Sequence, residues 1–246
     1  AYLGGLMFDK DMKPTITTPN GIRAIQQFTS IVKYMPPDIQ GWGTPQIYPF
    51  WASGQAYSVM SFPSIVGFGE KNPKTTLAGK HLTCLVPQVE VNGKLVRRTP
   101  QAAGTGYMVN KHSKHPELAY WYIQWLTSPT IGDEAVADPK GFWDPFKESH
   151  RNNPKIADKF GGPQFVNMTL DATKYVVSLL WIQGNYEYFK ILDNNLADVM
   201  SGNITPQVAA QRIEKGWDGV TTDVGRKTQI QDWARGVNAG VYIDKF

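Results

Sequence analysis

Phe50-Trp51-Ala52-Ser53-Gly54-Gln55-Ala56-Tyr57-Ser58-Val59-Met60 is the stretch on which the fold turns. Its first half reads as a short helix that stops at Gly54, where a missing Cβ lets the backbone leave helical geometry. Its second half is rich in β-prone side chains and runs through Ser61 and Phe62 to Pro63, so 56–62 reads as a strand. Moving outward, His81-Leu82-Thr83-Cys84-Leu85-Val86 reads as a second strand closed by Pro87. Val89 to Val96 reads as a hairpin about Asn92-Gly93, a dipeptide suited to a two-residue turn. Upstream, Thr18-Pro19 supplies a hydroxyl cap followed by proline at the first helical position. Ile22, Ile25, Phe28, Ile31, Val32 and Met35 follow at helical spacing until Pro36-Pro37. Gly41-Trp42-Gly43-Thr44-Pro45 reads as the loop between.

Beyond the hairpin, Gly104-Thr105-Gly106 turns into a short expected strand, 107–109, and a helix from Pro116 to Ser128-Pro129. Leu118, Tyr122, Trp125 and Leu126 form its expected core face. Residues 132–163 read as irregular, and 170–180 as an apolar stretch. Tyr188, Leu192, Leu196, Val199 and Met200 mark a helix ending at Ser201-Gly202. Thr205-Pro206 starts the next, which carries Val208, Ile213 and Trp217, and a last helix covers about 225–236. The mixed order of helices and strands is that of an α/β chain.

Composition narrows the function. The 246 residues are 41% hydrophobic and 19% charged, enough apolar material for a core and too much for a disordered chain. No apolar run approaches the ~20 residues of a membrane span. One cysteine, Cys84, excludes an internal disulfide framework and a Cys-rich zinc site. A net charge of +4 is spread along the chain, with Arg97-Arg98 its densest point, which is no nucleic-acid stripe. The stretch 219–228 has the wrong glycine spacing for a phosphate loop. Gly104-Thr105-Gly106 lacks the third glycine of a dinucleotide loop. His112 and His115 have no further ligand at a metal spacing, and no Gly-x-Ser-x-Gly elbow is present.

The aromatic residues carry more. Trp42, Trp143 and Trp181 lie in Gly- and Pro-rich stretches, near amides and carboxylates, where a ring can take the C–H face of a sugar. Trp51, Trp121, Trp125 and Trp217 lie on helices and are expected in the core. The competing reading from residues alone is a carbohydrate-active hydrolase with paired carboxylates, for which Asp133-Glu134, Asp144 and Glu187 are the candidates. A third is an interaction module.

The order of these pieces resembles a known family. A helix leads into the Phe50–Met60 turn and strand. Leu85-Val86-Pro87 and the helix Ser113-Lys114-His115-Pro116-Glu117-Leu118-Ala119-Tyr120-Trp121 follow. Asn185-Tyr186-Glu187-Tyr188, Val199-Met200-Ser201-Gly202-Asn203-Ile204-Thr205-Pro206 and Trp217-Asp218-Gly219-Val220-Thr221-Thr222-Asp223 come late. The chain is similar to the family 1 extracellular solute-binding proteins of bacterial ABC importers, the maltose-binding-protein-like group. The resemblance implies a periplasmic-binding-protein-like α/β fold of type II, with two lobes closing on a ligand. It implies that 1–102 and 165–246 are parts of the C-terminal lobe and that 103–164 crosses to the N-terminal lobe. Family members are longer at the N-terminus, so the chain, which opens at Ala1-Tyr2-Leu3-Gly4-Gly5, is expected to lack most of that lobe. Strand 107–109 and the helix after it would then need another copy or chain to cover them, or would rearrange.

For function, the resemblance implies a periplasmic, non-enzymatic receptor that hands a small solute, most often a sugar, to membrane permease subunits. It has no catalytic residue, metal or cofactor, no nucleic-acid partner and no membrane span of its own. Ligand-binding positions implied are Gly4 and Gly5 at a cleft-edge turn, Ser61 and Phe62 (where family members often carry tryptophan), and Gly104 and Thr105 on the hinge side. Trp143 falls in the Gly141-Phe142-Trp143-Asp144-Pro145 loop, and Trp181, Gln183 and Tyr186 at the start of the late helix. Trp42 joins them as a loop-borne ring.

Overall fold

The computed structural model describes residues 6–91, 93–100 and 106–239. They divide into two compact units. Unit one comprises 1–41, 87–101 and 177–246, and unit two comprises 42–86 and 102–176. Among the described residues the architecture is ten α-helices and four short strands.

Unit one is built on α1 (Pro19–Ser30), α8 (Asn185–Met200), α9 (Pro206–Val224) and α10 (Arg226–Asn238). The capping signals act as read: Thr18 accepts from the Gly21 N–H and Thr205 from the Val208 N–H. A single 3-10 turn, 31–34, ends the first helix before the two prolines. The core gathers Phe8, Met12, Ile25, Leu180, Tyr188, Ile213, Trp217 and Trp233. The Phe8 ring lies 5.4 Å from Tyr188, 5.2 Å from Trp217 and 5.5 Å from Trp233. The polar tips of these rings are paired internally. Trp217 Nε1 donates to the Tyr188 carbonyl at 2.9 Å, and Thr221 Oγ1 donates to the Trp217 carbonyl. The Tyr188 hydroxyl therefore donates to Thr221 Oγ1, 2.7 Å away. The hairpin is present as β1 (Val89–Val91) and β2 (Lys94–Val96), antiparallel, with Val89 opposite Val96. A second ladder pairs β3 (Thr99–Pro100) with β4 (Val176–Val177).

Unit two is helical: α2 (Thr44–Ala52), α3 (Ser64–Lys71), α4 (Pro116–Leu126), α5 (Pro129–Ala137), α6 (Pro154–Lys159) and α7 (Pro163–Ala172). Its core holds Tyr48, Trp51, Ile65, Val136, Ile156, Phe160, Phe165 and Val166. Phe160 and Phe165 stack at 5.1 Å. Trp51 and Trp217 are core residues as expected.

Several expectations are corrected. Residues 56–62, 81–86 and 107–109 form no strand. A strand exists through its partner's hydrogen bonds, and among the described residues no segment pairs with these three. Tyr57, Met60, Leu82 and Met108 are accordingly exposed. The loop read at 41–45 is partly helix, because Thr44-Pro45 starts α2, which Pro49 does not break. The irregular reading of 132–163 gives way to α5, α6 and a 3-10 turn at 148–152. Ser128-Pro129 was expected to stop a helix. Helix α4 does end just before it, at Leu126, and the pair also starts α5, with the Ser128 side chain accepting from the Ile131 N–H. Helix α4 forms, but Leu118, Tyr122 and Trp125 are exposed rather than core, as is Trp121 at 68%.

Candidate functional site

In unit one the candidate residues flank the N-terminus of α8. Gly184 adopts φ +78° and turns the chain into the helix. Trp181 and Tyr186 are exposed at 56% and 71%, and Gln183 is exposed. The Gln183 carbonyl accepts from Gln229 Nε2 at 2.7 Å. Gln229 lies on α10 and is wholly buried, so a residue 46 positions away sets the backbone from which Trp181 and Tyr186 project.

In unit two the candidates sit on three segments. Trp42 packs edge-on against Phe50 at 4.9 Å. Ser61 and Phe62 are exposed and lead into α3, where the Ile65 N–H donates to the Phe62 carbonyl. Trp143 is half-buried between Tyr107 at 6.1 Å and Phe146 at 6.2 Å. These three rings, with exposed Phe142 alongside in sequence, form an aromatic surface of the kind that packs on sugar C–H faces. Gly4, Gly5, Gly104 and Thr105 lie outside the described residues.

Polar groups behind the Trp143 loop are firmly held. Lys159 is 1% exposed, and its Nζ donates to the carbonyls of Val136, Gly141 and Trp143 at 2.8, 3.0 and 3.3 Å. Burial pushes its amine below the ordinary lysine range, against the pull of Asp144 and Asp138. Asp144 lies near Ser64, at the start of α3, and near Lys159. Burial raises its pKa to about 6, with Lys159 opposing the rise. His150 is wholly buried. Its Nδ1 accepts from the Phe146 N–H at 3.2 Å, so its Nε2 carries the proton and donates to Asp133 at 3.0 Å. Burial lowers its pKa, with the bond and charge of Asp133 opposing. The His150 ring meets Phe146 edge-on at 4.9 Å, so this pair orients Phe146 beside Trp143.

Sequence reasoning missed Gln229, Lys159, His150, Tyr107 and Phe146 as site-shaping residues. Only Phe146 carried a signal, its place beside the Gly141–Pro145 loop. Of the carboxylates in the hydrolase reading, Asp133 is bonded to His150 and Asn153 and Glu134 to Lys155, Asp144 is partly buried near Lys159, and Glu187 belongs to unit one. Among the described residues no group of three His, Cys, Asp or Glu is placed to hold a metal, and no helix is long and apolar enough to cross a membrane.

The chain is similar to known proteins in sequence and in fold. Residues 1–132 match the profile of the bacterial extracellular solute-binding proteins. A probable amino-acid ABC transporter periplasmic-binding protein of Sinorhizobium fredii is 26% identical over 132 residues, which are 52% of this chain and 28% of that protein. Maltose-bound MalE3 of T. maritima superposes with a TM-score of 0.72 at 16% identity, over 89% of this chain and 55% of that one. A D-mannitol-bound ABC transporter solute-binding protein from Agrobacterium vitis superposes at 0.71, with 17% identity, over 91% and 56%. A ribitol-bound counterpart from Agrobacterium radiobacter gives 0.67 at 19% identity, over 86% and 52%. The chain thus spans about half the length of the solved proteins it matches and 28% of that curated relative. The shared fold is that of the type II periplasmic binding proteins.

Proposed function

The chain belongs to the bacterial extracellular solute-binding proteins, and from that premise we propose that it is part of an ABC importer's receptor for a sugar or polyol, acting in the periplasm. The observation that carries the carbohydrate reading is the Tyr107–Trp143–Phe146 surface. Exposed Trp181 and Tyr186 add rings of the same kind in unit one. Maltose, D-mannitol and ribitol in the structural neighbours support it. Ligand contacts both lobes only in the closed state, so binding shifts the population towards closure, and the permease then receives the loaded form. Nothing in this scheme requires catalysis or a cofactor.

The lobe assignment is part of the proposal: 1–102 and 165–246 in the C-terminal lobe, 103–164 in the N-terminal lobe. Helix α4, within 103–164, has no buried residue and exposes Leu118, Trp121 and Trp125, which supports it. Here 42–86 groups with 102–176 instead, so the assignment is tested on the full-length protein. There, tryptophans placed on α4 should be shielded from a collisional quencher.

The ligand reading is tested by thermal melting of the full-length protein against maltose, D-mannitol, ribitol and a set of amino acids. A rise in melting temperature with a sugar or polyol alone is expected. The curated relative's name favours an amino acid as the second reading, and a rise confined to amino acids would replace the first with it.

A further inference from the structure

We propose that His150 is a positioning residue for the ring surface of unit two, and that it holds Phe146 against Trp143 only while its imidazole is neutral. This rests on the reading of Trp143 as ligand-facing. The two ring nitrogens do different work. Nδ1 accepts from the Phe146 N–H at 3.2 Å, and Nε2 donates to Asp133 Oδ1 at 3.0 Å. A neutral imidazole has one donor and one acceptor, so a single tautomer makes both bonds. The same ring meets Phe146 edge-on at 4.9 Å. His150 therefore holds Phe146 twice, by its backbone N–H and by its ring. Phe146 in turn lies 6.2 Å from Trp143, and Trp143 lies 6.1 Å from Tyr107. Moving Phe146 moves one wall of that surface.

The tautomer is imposed from α5. An ionised carboxylate only accepts, so Asp133 fixes the proton on Nε2. Asp133 is itself held. Asn153, the residue capping α6, donates from Nδ2 to its Oδ2 at 3.4 Å, and Lys147 Nζ lies 3.9 Å from its Oδ1. Lys147 Nζ also donates to the Thr127 carbonyl at 3.0 Å and sits 5.1 Å from the Phe146 ring centroid. Asp133 and Lys147 are the charged groups that act on the imidazole. The helices packed on the 148–152 turn pair their charges elsewhere: Lys155 of α6 with Glu134, and Asp171 of α7 with Arg151 and Lys174.

Protonation acts on one side of this arrangement. The Nε2–H bond to Asp133 survives and becomes charge-assisted. Nδ1 turns from acceptor into donor, so two N–H groups face each other where a hydrogen bond stood. His150 is wholly buried, and bulk water does not reach the Phe146 N–H to replace the lost acceptor. The imidazolium stays with Asp133, and Phe146 moves away. Trp143 does not follow, because Lys159 holds its carbonyl from α6. Burial of the imidazole keeps its pKa below the ordinary 6.5, against the pull of Asp133, so the ring surface is intact at neutral pH and opens in acid.

The test is a pH titration of the full-length protein, with no sugar present, followed by nuclear magnetic resonance. The His150 ring nitrogens should show the Nε2–H tautomer at neutral pH. The Phe146 amide should shift with the midpoint of that ring, below 6.5, and the Overhauser contact between the Phe146 and Trp143 rings should fade across it. Asp144 titrates near 6 beside Trp143, so the readout is this contact rather than the Trp143 shift. The Val166 amide, in the core of unit two, should stay in place. In His150→Asn the Oδ1 takes the place of Nδ1 and does not titrate, so the contact should persist in acid. In His150→Gln the longer amide reaches Asp133 instead, so the contact should be weak already at neutral pH. A contact that persists in wild type after the ring is protonated overturns the proposal, and this needs no variant to fold. A contact that fades equally in His150→Asn, or a Val166 amide that moves with the same midpoint, also overturns it. A sugar that binds should bind more weakly below the midpoint, and an affinity flat in pH would overturn the proposal too. A protein that binds no member of the melting panel fails the ligand reading alone, and the ring contact still judges the tie.

Discussion

Lys159 shows how much one side chain can decide. Its ammonium is buried, lies 5.0 Å from the Phe160 ring centroid, and is the donor for three carbonyls of the 136–143 segment. A buried cation is tolerated only when its hydrogen bonds are complete. Lys159→Met keeps the length and removes the donors, stranding three carbonyls in a site that excludes water. The expected loss is about 3–5 kcal/mol, read as a lowered urea midpoint with the slope unchanged. A loss under about 1 kcal/mol would mean that water replaces the amine. Gly69 is a second decisive position. A Cβ there would lie 2.2 Å from Trp51 Cζ3, and the indole, itself buried, has no room to retreat. Gly69→Ala should therefore cost about 1–3 kcal/mol, and Trp51→Leu in the same chain should recover part of it by opening space. Failure of the double variant to recover would place the clash elsewhere.

At the scale of elements, proline with a polar residue before it proves the most informative pair in the chain. Thr18-Pro19, Ser128-Pro129, Asn153-Pro154 and Thr205-Pro206 each start a helix, and in each the first side chain accepts from a backbone N–H of the first turn. Ser128→Ala should cost about 1 kcal/mol and fray α5 first, seen as faster amide exchange at Ile131 than at Val136. Equal exchange at both positions would show that the cap is dispensable. The helices of unit one were legible because amphipathic spacing and these caps are local properties. The 89–96 hairpin was legible from its turn, whereas the strands read at 56–62, 81–86 and 107–109 were not, because β-structure depends on a neighbour that no local pattern supplies. Residues 56–62 have the composition of a strand and no partner among the described residues. The same limit explains the site. Trp143 and Trp181 could be picked out as loop-borne rings, whereas Gln229, Lys159 and His150 act through contacts that sequence distance hides. Helix α4 is the converse case: its pattern is that of a core helix, and its apolar face is exposed.

For the molecule as a whole, the two cores draw on different titrations, and unit two contains two that oppose each other. His150 is neutral and its folded pKa lies below the unfolded value near 6.5. Its contribution is complete above that value and is lost as pH falls through the folded pKa. Asp144 has the reverse sign. Its folded pKa of about 6 exceeds the ordinary 3.8, so its contribution is complete below 3.8 and is lost as pH rises through 6. Ionised Asp144 thus costs up to about 3 kcal/mol at neutral pH. Between about pH 7.5 and about pH 5 the two trends offset each other, so wild-type unit two should change little in stability. Asp144→Asn should expose the histidine, giving a protein more stable than wild type at neutral pH that loses stability on acidification. His150→Gln should expose the aspartate and gain stability over the same range. Urea unfolding followed at core amides resolves the units, Val166 reporting unit two and Ile213 unit one. Ile213 should report the same pH response in all three proteins. Parallel pH slopes at Val166 in wild type and both variants would sink the assignment of these two groups as the opposing titrations.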